Sequence, residues 1–316
     1  MKVIGIDLGG TNYAVGLVDE TGNILSRIEG KTKVDEGPQA VAKRLSESVK
    51  SVMSNTGVSA RAIGIGSPGS IDHEKGVVRF SPNFPGWYNF PLAEEIRTHT
   101  GLDVFIENDA NAYALGEHTF GVARGFDHVI CLTLGTGIGG GVITHGFLLR
   151  GSVGIGAELG HMNVLPNGPK CGCGSNGCLE SLASATAIRK YVEDGYSRHI
   201  DSSLFKEKNA SQITPKDVFE HAKNGDYFSL SVFNRVVSAL SVAIGSLINI
   251  FNPQVVVIGG GMANAGDFLL EPVEEMVKDY VLPTMLGTYQ IKLSQLGKNA
   301  GILGAASIVF ERASKR

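Results

Sequence analysis

Twice in this chain a short apolar strand runs into a glycine–threonine turn and comes back as a second strand. No other feature narrows its folding options as far. The first copy is Val3 to Asp7, then Leu8-Gly9-Gly10-Thr11, then Ala14 to Val18, with Asp19 to Asn23 turning into a third strand at Ile24. The second is Val129 to Leu134, then Gly135-Thr136-Gly137, then a glycine-laden strand to Ile143, with Thr144-His145-Gly146 leading into Phe147-Leu148-Leu149. The copies correspond element for element, except that Thr133 stands where the first has Asp7. Such internal repetition implies two related domains facing each other. The 316 residues suffice for two cores at roughly 100–200 residues per domain.

The remaining pattern is α/β. Val41, Leu45, Val49 and Val52 recur at helical spacing before Gly57. Ala62 to Gly66 predicts a strand ending in Ser67-Pro68-Gly69. Val104 to Ile106 predicts another, with Glu107-Asn108-Asp109 capping a helix to about Glu117. A helix is expected from Ser181 to Val192, ending at Gly195. Thr214-Pro215-Lys216-Asp217 resembles a capped helix start. Asp226 to Phe251 is long and mostly apolar, hence a buried helix, broken by Asn252-Pro253. Gln254 to Ile258 then forms a strand into Gly259-Gly260-Gly261, and Ala300 to Arg312 is expected to pack back on the first domain.

A hydrophobic share of 43%, a charged share of 19% and a net charge of −3 describe a soluble, enzyme-like protein. They give no reason to expect nucleic acid or an acidic membrane as partner. The start, MKVIGIDLGG, lacks signal-peptide character, and no run is read as reaching a membrane span of ~20 apolar residues. The expected location is cytoplasmic. The 42 glycines cluster beside apolar strands, as they do where backbone approaches a ligand.

His161 to Glu180 reads HMNVLPNGPKCGCGSNGCLE. One imidazole (His161) and three thiolates (Cys171, Cys173, Cys178) make a closed tetrahedral shell for a structural Zn²⁺. The alternatives are a disulfide or ordinary core thiols. Cys171 and Cys173 stand too close to bridge easily, and a Gly-rich loop is poor core. Cys131, in the apolar run HVICLTL, is expected to be a plain buried thiol. The metal loop would fix two carboxylates beside it, Glu158 and Glu180, where a substrate could be held.

Three Gly-rich turns each follow an apolar strand: Gly9-Gly10-Thr11, Gly135-Thr136-Gly137 and Gly259-Gly260-Gly261. Backbone N–H groups in such turns form concave anion sites. None is followed by Gly-Lys-Ser/Thr, which excludes a P-loop, and none opens a helix as a dinucleotide fold needs. Asp7 ends its strand beside the first turn, where an aspartate can hold the water ligands of Mg²⁺ against nucleotide phosphates. Its other reading is a turn-capping aspartate. Asp109 closes a polar cluster after a buried strand, where open α/β sheets bind ligands. Its other reading is a helix N-cap. Asn83, just before the only tryptophan, Trp87, adds an amide suited to a hydroxyl.

These residues together resemble the ROK family of repressors, uncharacterised reading frames and sugar kinases. The carriers are Asp7-Leu8-Gly9-Gly10-Thr11, Glu107-Asn108-Asp109-Ala110-Asn111, Leu134 to Gly141, Glu158-Leu159-Gly160-His161 and Cys171 to Glu180, with no departure at a motif position. The resemblance runs nearly end to end and is closest to ATP-dependent bacterial glucokinases. It implies the two-domain actin-like (ribonuclease H-like) ATPase and sugar-kinase fold with a cleft between lobes, divided as 1–115 plus 301–316 and 116–300. It implies Asp109 as general base. Gly69, Asn83, Asn108, Asp109, Glu158, His161 and Glu180 would bind the sugar. Asp7, Gly9, Gly10, Thr11, Asn12, Gly135, Thr136, Gly137, Gly259, Gly260 and Gly261 would serve ATP and Mg²⁺. His161 would hold zinc through one ring nitrogen and face the sugar with the other. The implied partners are sugar and ATP, in a homo-oligomer, dimer or tetramer.

Two other functions stand beside a glucokinase. A sugar-responsive repressor would carry an N-terminal DNA-binding region, for which the strand at residue 3 leaves no room. A sugar-binding module without turnover would release no ADP. Within the kinases, N-acetylmannosamine, N-acetylglucosamine, fructose, mannose and allose are alternative substrates, because one substituent changes binding by more than a sequence reveals.

Overall fold

The computed structural model describes residues 1–81 and 84–314. The first strands are β1 (Lys2–Leu8), β2 (Asn12–Asp19) and β3 (Ile24–Lys31). Helix α1 (Pro38–Thr56) follows, with Pro38 in its first turn and Gly57 stopping it at φ 64°. Then come β4 (Ala62–Ser67), β5 (Ser70–Asp72), β6 (Val77–Phe80), β7 (Tyr88–Phe90), α2 (Leu92–Thr100), β8 (Asp103–Asn108) and α3 (Asp109–Thr119). The second copy supplies β9 (Val129–Leu134), β10 (Ile138–Thr144) and β11 (Phe147–Leu148). Behind the cysteine loop lie α4 (Leu179–Ala183), α5 (Ala185–Gly195), α6 (Leu204–Glu207), α7 (Pro215–Lys223) and α8 (Tyr227–Phe251). The chain closes with β12 (Val255–Gly259), α9 (Asp267–Val277), β13 (Gln290–Leu293) and α10 (Ala300–Ser314).

The two five-stranded sheets have the orders β3-β2-β1-β4-β8 and β11-β10-β9-β12-β13. Each places the first strand of a copy at its centre, the returning strands on one side and two parallel strands on the other. The repeat is therefore structural as well as textual. A three-stranded sheet, β5-β6-β7, and helix α2 are additions that hydrophobic periodicity did not signal. The chain gathers into two compact units. One holds Met1–Asp127, Gly141–Ala157 and Gln295–Arg316, the other His128–Gly140 and Glu158–Ser294.

In the first unit, α1 and α2 cover one face of the sheet, and the aliphatic residues Ile4, Ile6, Val15, Leu45, Val49, Ile63 and Ile65 fill the core between them. Helix α10 packs on β1 and β4 and against α3, as expected for the final helix. Trp87 is fully buried, with ring centroids 4.6 Å from Phe84 and 5.0 Å from Phe90. In the second unit α8 is the central helix, packed by α4, α7 and α9. Its mean hydropathy of 1.6 over a membrane-length window corrects the expectation that no segment reaches a span, but 67% of that window is buried in the protein. Cys131 is fully buried and in no disulfide, as expected.

Two local expectations are revised. The helix expected from Ser181 is two helices, because Ser184 leaves helical geometry and its side chain caps α5 by accepting from the Ala187 N–H at 3.1 Å. The strand before Asp109 extends through Asn108, which is itself the cap of α3.

Candidate functional site

The acid end of the first unit is built where β8 hands over to α3. Asn108 Oδ1 accepts from the Ala110 N–H at 3.0 Å and the Asn111 N–H at 3.2 Å, so Asn108 satisfies the orphan donors of the helix start. Asp109 is thereby displaced from the cap position into the first helical turn. Its Oδ1 accepts the adjacent Ala110 N–H at 2.9 Å. Solvent reaches this side chain, yet the protein around it removes enough water to raise its carboxyl above the ordinary 3.8. Asn108 Nδ2 donates to the Gly69 carbonyl at 3.3 Å. Gly69 has φ 106°, and a Cβ there would stand 2.4 Å from the Phe80 carbonyl oxygen, so only glycine admits this approach. Asn83 lies outside the described residues.

Asp7, the penultimate residue of β1, is half-buried. Burial raises its carboxyl to about 6, the negative charge of Asp109 pushes the same way, and Arg27 opposes both. Its Oδ2 rests on the start of α10, where a Cβ on Gly301 would come within 2.1 Å. The adjacent turn is held by Gly9 N–H to the Asn12 carbonyl at 3.0 Å. Thr32 braces it, its hydroxyl donating to the Gly9 carbonyl at 2.7 Å and its N–H to that of Thr11 at 2.9 Å. Thr11 and Asn12 remain exposed, with Gly10 half-buried between the strands.

In the second unit, the Gly135 N–H closes its turn on the Gly137 carbonyl at 3.0 Å, and the start of α5 supports it through Ala185 N–H to Gly135 O at 2.9 Å. Gly135, Thr136 and Gly261 line one cavity of about 480 Å³, within the size range of small-molecule sites. Gly137, Gly259 and Gly260 do not line it. Gly259 closes β12, and Gly260, at φ 84°, turns against the Leu134 backbone. The opposite wall comes from Pro215, Lys216 and Phe219 of α7 and from Asn264 and Phe268. Sequence reasoning missed that wall, because a capped helix start carries no sign of what it will face.

The cysteine loop brings its four candidates together. The ligand atoms of His161, Cys171, Cys173 and Cys178 lie within 4.8 Å of one another. His161 Nδ1 is 3.7 Å from Cys171 Sγ, and Cys173 Sγ is 3.7 Å from Cys178 Sγ. A tetrahedron with metal–ligand bonds of about 2.0–2.3 Å has edges of about 3.5–3.8 Å, whereas a disulfide needs about 2.05 Å. The residues therefore fit a zinc ion and not a bridge. Burial pushes the Cys171 thiol up to about 12 and Cys178 in the same direction, whereas a backbone hydrogen bond from Ser175 lowers exposed Cys173, so a cation would favour the thiolate at the two buried positions. Gly174 and Gly177, at φ 95° and 67°, turn the loop.

Cys178 then caps α4, which carries Glu180 in its first turn. Glu180 Oε2 accepts the Ile138 N–H at 2.9 Å and lies over Gly137, tying the cysteine loop to the second Gly-rich turn. Its Oε1 is 3.9 Å from Cys171 Sγ. His161 points Nδ1 at the cysteines, which leaves Nε2 on the other edge of its ring. The backbone carbonyl of exposed Glu158 accepts the His161 N–H at 3.0 Å, and Glu158 follows Ala157, held at φ 64°. A left-handed alanine is strained, and such strain gathers at functional segments. Nothing in the sequence marked it.

The profile of the ROK family matches residues 3–312. A glucokinase of Thermotoga maritima is 52% identical over 313 residues, spanning 99% of this chain and 98% of its own. The ROK hexokinase from Thermus thermophilus has the same fold, with a TM-score of 0.86 and 38% identity over all of both chains. A ROK family glucokinase from Streptomyces griseus, crystallised with glucose and AMPPNP, gives 0.83 and 35% identity over 98% of this chain and 99% of its own.

The raised Asp7 carboxyl has a thermodynamic signature. The folded chain holds this proton to about pH 6, while an unfolded aspartate releases it near 3.8. The parent therefore loses stability as pH rises between those values and keeps the deficit above them. Asp7→Asn should melt at a higher temperature than the parent at pH 8, with the gain shrinking as pH falls toward about 4. Paired thermal melts across that range check it. Equal melting at pH 8 would return Asp7 to an ordinary carboxylate.

Proposed function

This chain belongs to the ROK family, and from that premise we propose that it is an ATP-dependent hexokinase-type phosphotransferase converting glucose to glucose 6-phosphate, with Asp109 as general base. The observation that carries the role of Asp109 is the division of labour at the start of α3. Asn108 does the capping, and an aspartate with a raised pKa is left at the end of a buried strand. The choice of glucose and ATP rests on the Thermotoga glucokinase and on the Streptomyces enzyme solved with glucose and AMPPNP.

In this reading the sugar 6-hydroxyl oxygen bonds to the γ-phosphorus, the bond from that phosphorus to the β,γ-bridging oxygen breaks, and ADP leaves. The hydroxyl proton passes to Asp109 late, as the phosphoryl group arrives, since a carboxylate is too weak a base to ionise a sugar hydroxyl beforehand. A raised pKa makes it a better acceptor. Gly69, Asn83, Asn108, Glu158, His161 and Glu180 hold the sugar, the carboxylates each accepting hydroxyl hydrogens. Gly9 to Asn12 and Gly135 to Gly137 offer N–H groups to phosphate. Gly259 to Gly261 serve the adenosine side, supported by the cavity that Gly261 shares with Gly135.

Mg²⁺ neutralises phosphate charge when bound, and Asp7 is the residue that would hold its water ligands. The mutual repulsion of Asp7 and Asp109 favours a cation there. Zn²⁺ would be held by His161, Cys171, Cys173 and Cys178, orienting His161 and Glu180 toward the sugar. The protein would work in the cytoplasm as a dimer or tetramer.

An ATP-coupled assay across glucose, mannose, fructose, allose, N-acetylglucosamine and N-acetylmannosamine tests the reading. The highest kcat/KM is expected for glucose, and a larger value for another sugar reassigns the substrate. Asp109→Asn should stay folded and bind glucose while kcat drops by at least ~10²-fold. Near-normal turnover in that variant would remove it as base. The parent should carry about one zinc per chain, and Cys173→Ser should lose it. That variant should raise KM for glucose more than for ATP while the other core stays folded. Unchanged glucose KM in zinc-free protein would make the metal a remote staple.

A further inference from the structure

Glu107, immediately before Asn108, is 1% exposed and carries a charge that the proposed chemistry does not use. Its Oε1 accepts the Asn108 N–H at 3.1 Å and the Asn111 side-chain amide at 3.2 Å. One carboxylate oxygen thus holds a group on each side of Asp109. Oε2 accepts Arg150 Nε at 2.7 Å, and the same guanidinium donates through a terminal nitrogen to Glu311 of α10 at 3.0 Å. Arg150 lies two residues after β11 and is itself mostly buried. Among the described residues it is the one cation in direct contact with Glu107. His73, also near Glu107, is held below its ordinary pKa chiefly by burial, and Arg312 lies over the Phe105 ring. Neither replaces Arg150.

We infer that Arg150 is a positioning residue for phosphoryl transfer: by fixing Glu107 it fixes Asn108 and Asn111, and through them the place of Asp109. The inference rests on Asp109 acting as the base. A planar fork suits the task, since it engages two carboxylates at set angles where an ammonium offers only a point charge. With Arg150 removed, a buried carboxylate without its cation turns away and releases the Asn111 amide. The first turn of α3 then loses its register. A misplacement of about 1 Å at a reacting group costs on the order of 10²-fold in rate.

The test is a double-mutant cycle on kcat, measured below each variant's melting temperature. Arg150→Met should lower kcat about 10–100-fold, with KM for ATP within about threefold of the parent. In an Asp109→Asn background the same substitution should change kcat by less than about threefold, because there is no base left to misplace. Glu107→Gln/Arg150→Met removes both charges while keeping an amide oxygen for Asn108 and Asn111, and should regain most of the lost kcat. Where Arg150→Met does not fold, Arg150→Lys replaces it in the cycle, with a loss of about 3–10-fold expected from the broken fork. Fully multiplicative losses of Arg150 and Asp109 variants would overturn the inference. So would a folded Arg150 variant with normal kcat and only a lower melting temperature, which marks a strut. Normal kcat in Asp109→Asn alone would instead overturn the base assignment beneath it, and is read from that single variant.

Discussion

Helix α10 touches the first sheet through backbone. A Cβ on Gly5 would stand 2.1 Å from the Ile302 carbonyl oxygen, and one on Gly64 would stand 1.9 Å from that of Ala305. Both glycines are strand residues with ordinary φ, so their task is to be absent rather than to be flexible. The close approach sets the rest of the first unit. It lays Gly301 against the Asp7 carboxylate and brings Glu311 to Arg150 further along the same helix. On its other flank Gly304 meets the backbone of Ala112 and Gly116 in α3, the helix that begins with Asp109. Two acidic residues far apart in sequence are thus registered by one rigid rod whose own residues come last in the chain.

The two raised carboxylates and the one that is paired illustrate how environment assigns roles to like residues. Asp7 and Asp109 feel burial with little direct cationic support, so both hold their protons above the usual range. Glu107 is more deeply enclosed but has a guanidinium and two N–H donors. The first arrangement leaves a carboxylate ready to take a proton or pair with a cation. The second suits a fixed scaffold. The second unit shows the same contrast in sulfur, with Cys131 inert in β9 and three cysteines converging with His161.

Much of this was legible before the structure. Strand–turn–strand repetition, the capped start of α7 and the glycine stop of α1 are local devices, and each is where the residues place it. The four candidate metal ligands were legible from their spacing, and their ligand atoms do converge. What escaped was decided by tertiary partners. The strands β5 and β7 have three residues each, too few to show a period. Ser184 interrupts a helical pattern only because its hydroxyl finds the Ala187 N–H. Asn108 and Asp109 are both good caps, and only the backbone turn at Asn108 chooses between them. Arg150 and Phe268 carry no motif at all; one becomes informative only opposite Glu107, the other only across from Gly135 and Gly261.

The sole tryptophan sits entirely inside the first unit, packed between Phe84 and Phe90 and fully shielded. Its surroundings are core side chains rather than the acid end of β8. Tryptophan emission, excited apart from the eight tyrosines, is therefore a gauge of one unit's interior. A denaturation curve followed in that channel is blind to the cysteine loop and to α8, which lie wholly in the other unit. Agreement between tryptophan emission and a backbone signal such as far-ultraviolet dichroism becomes a direct measure of whether the two units melt as one cooperative body. A single optical probe, by itself, describes half a molecule.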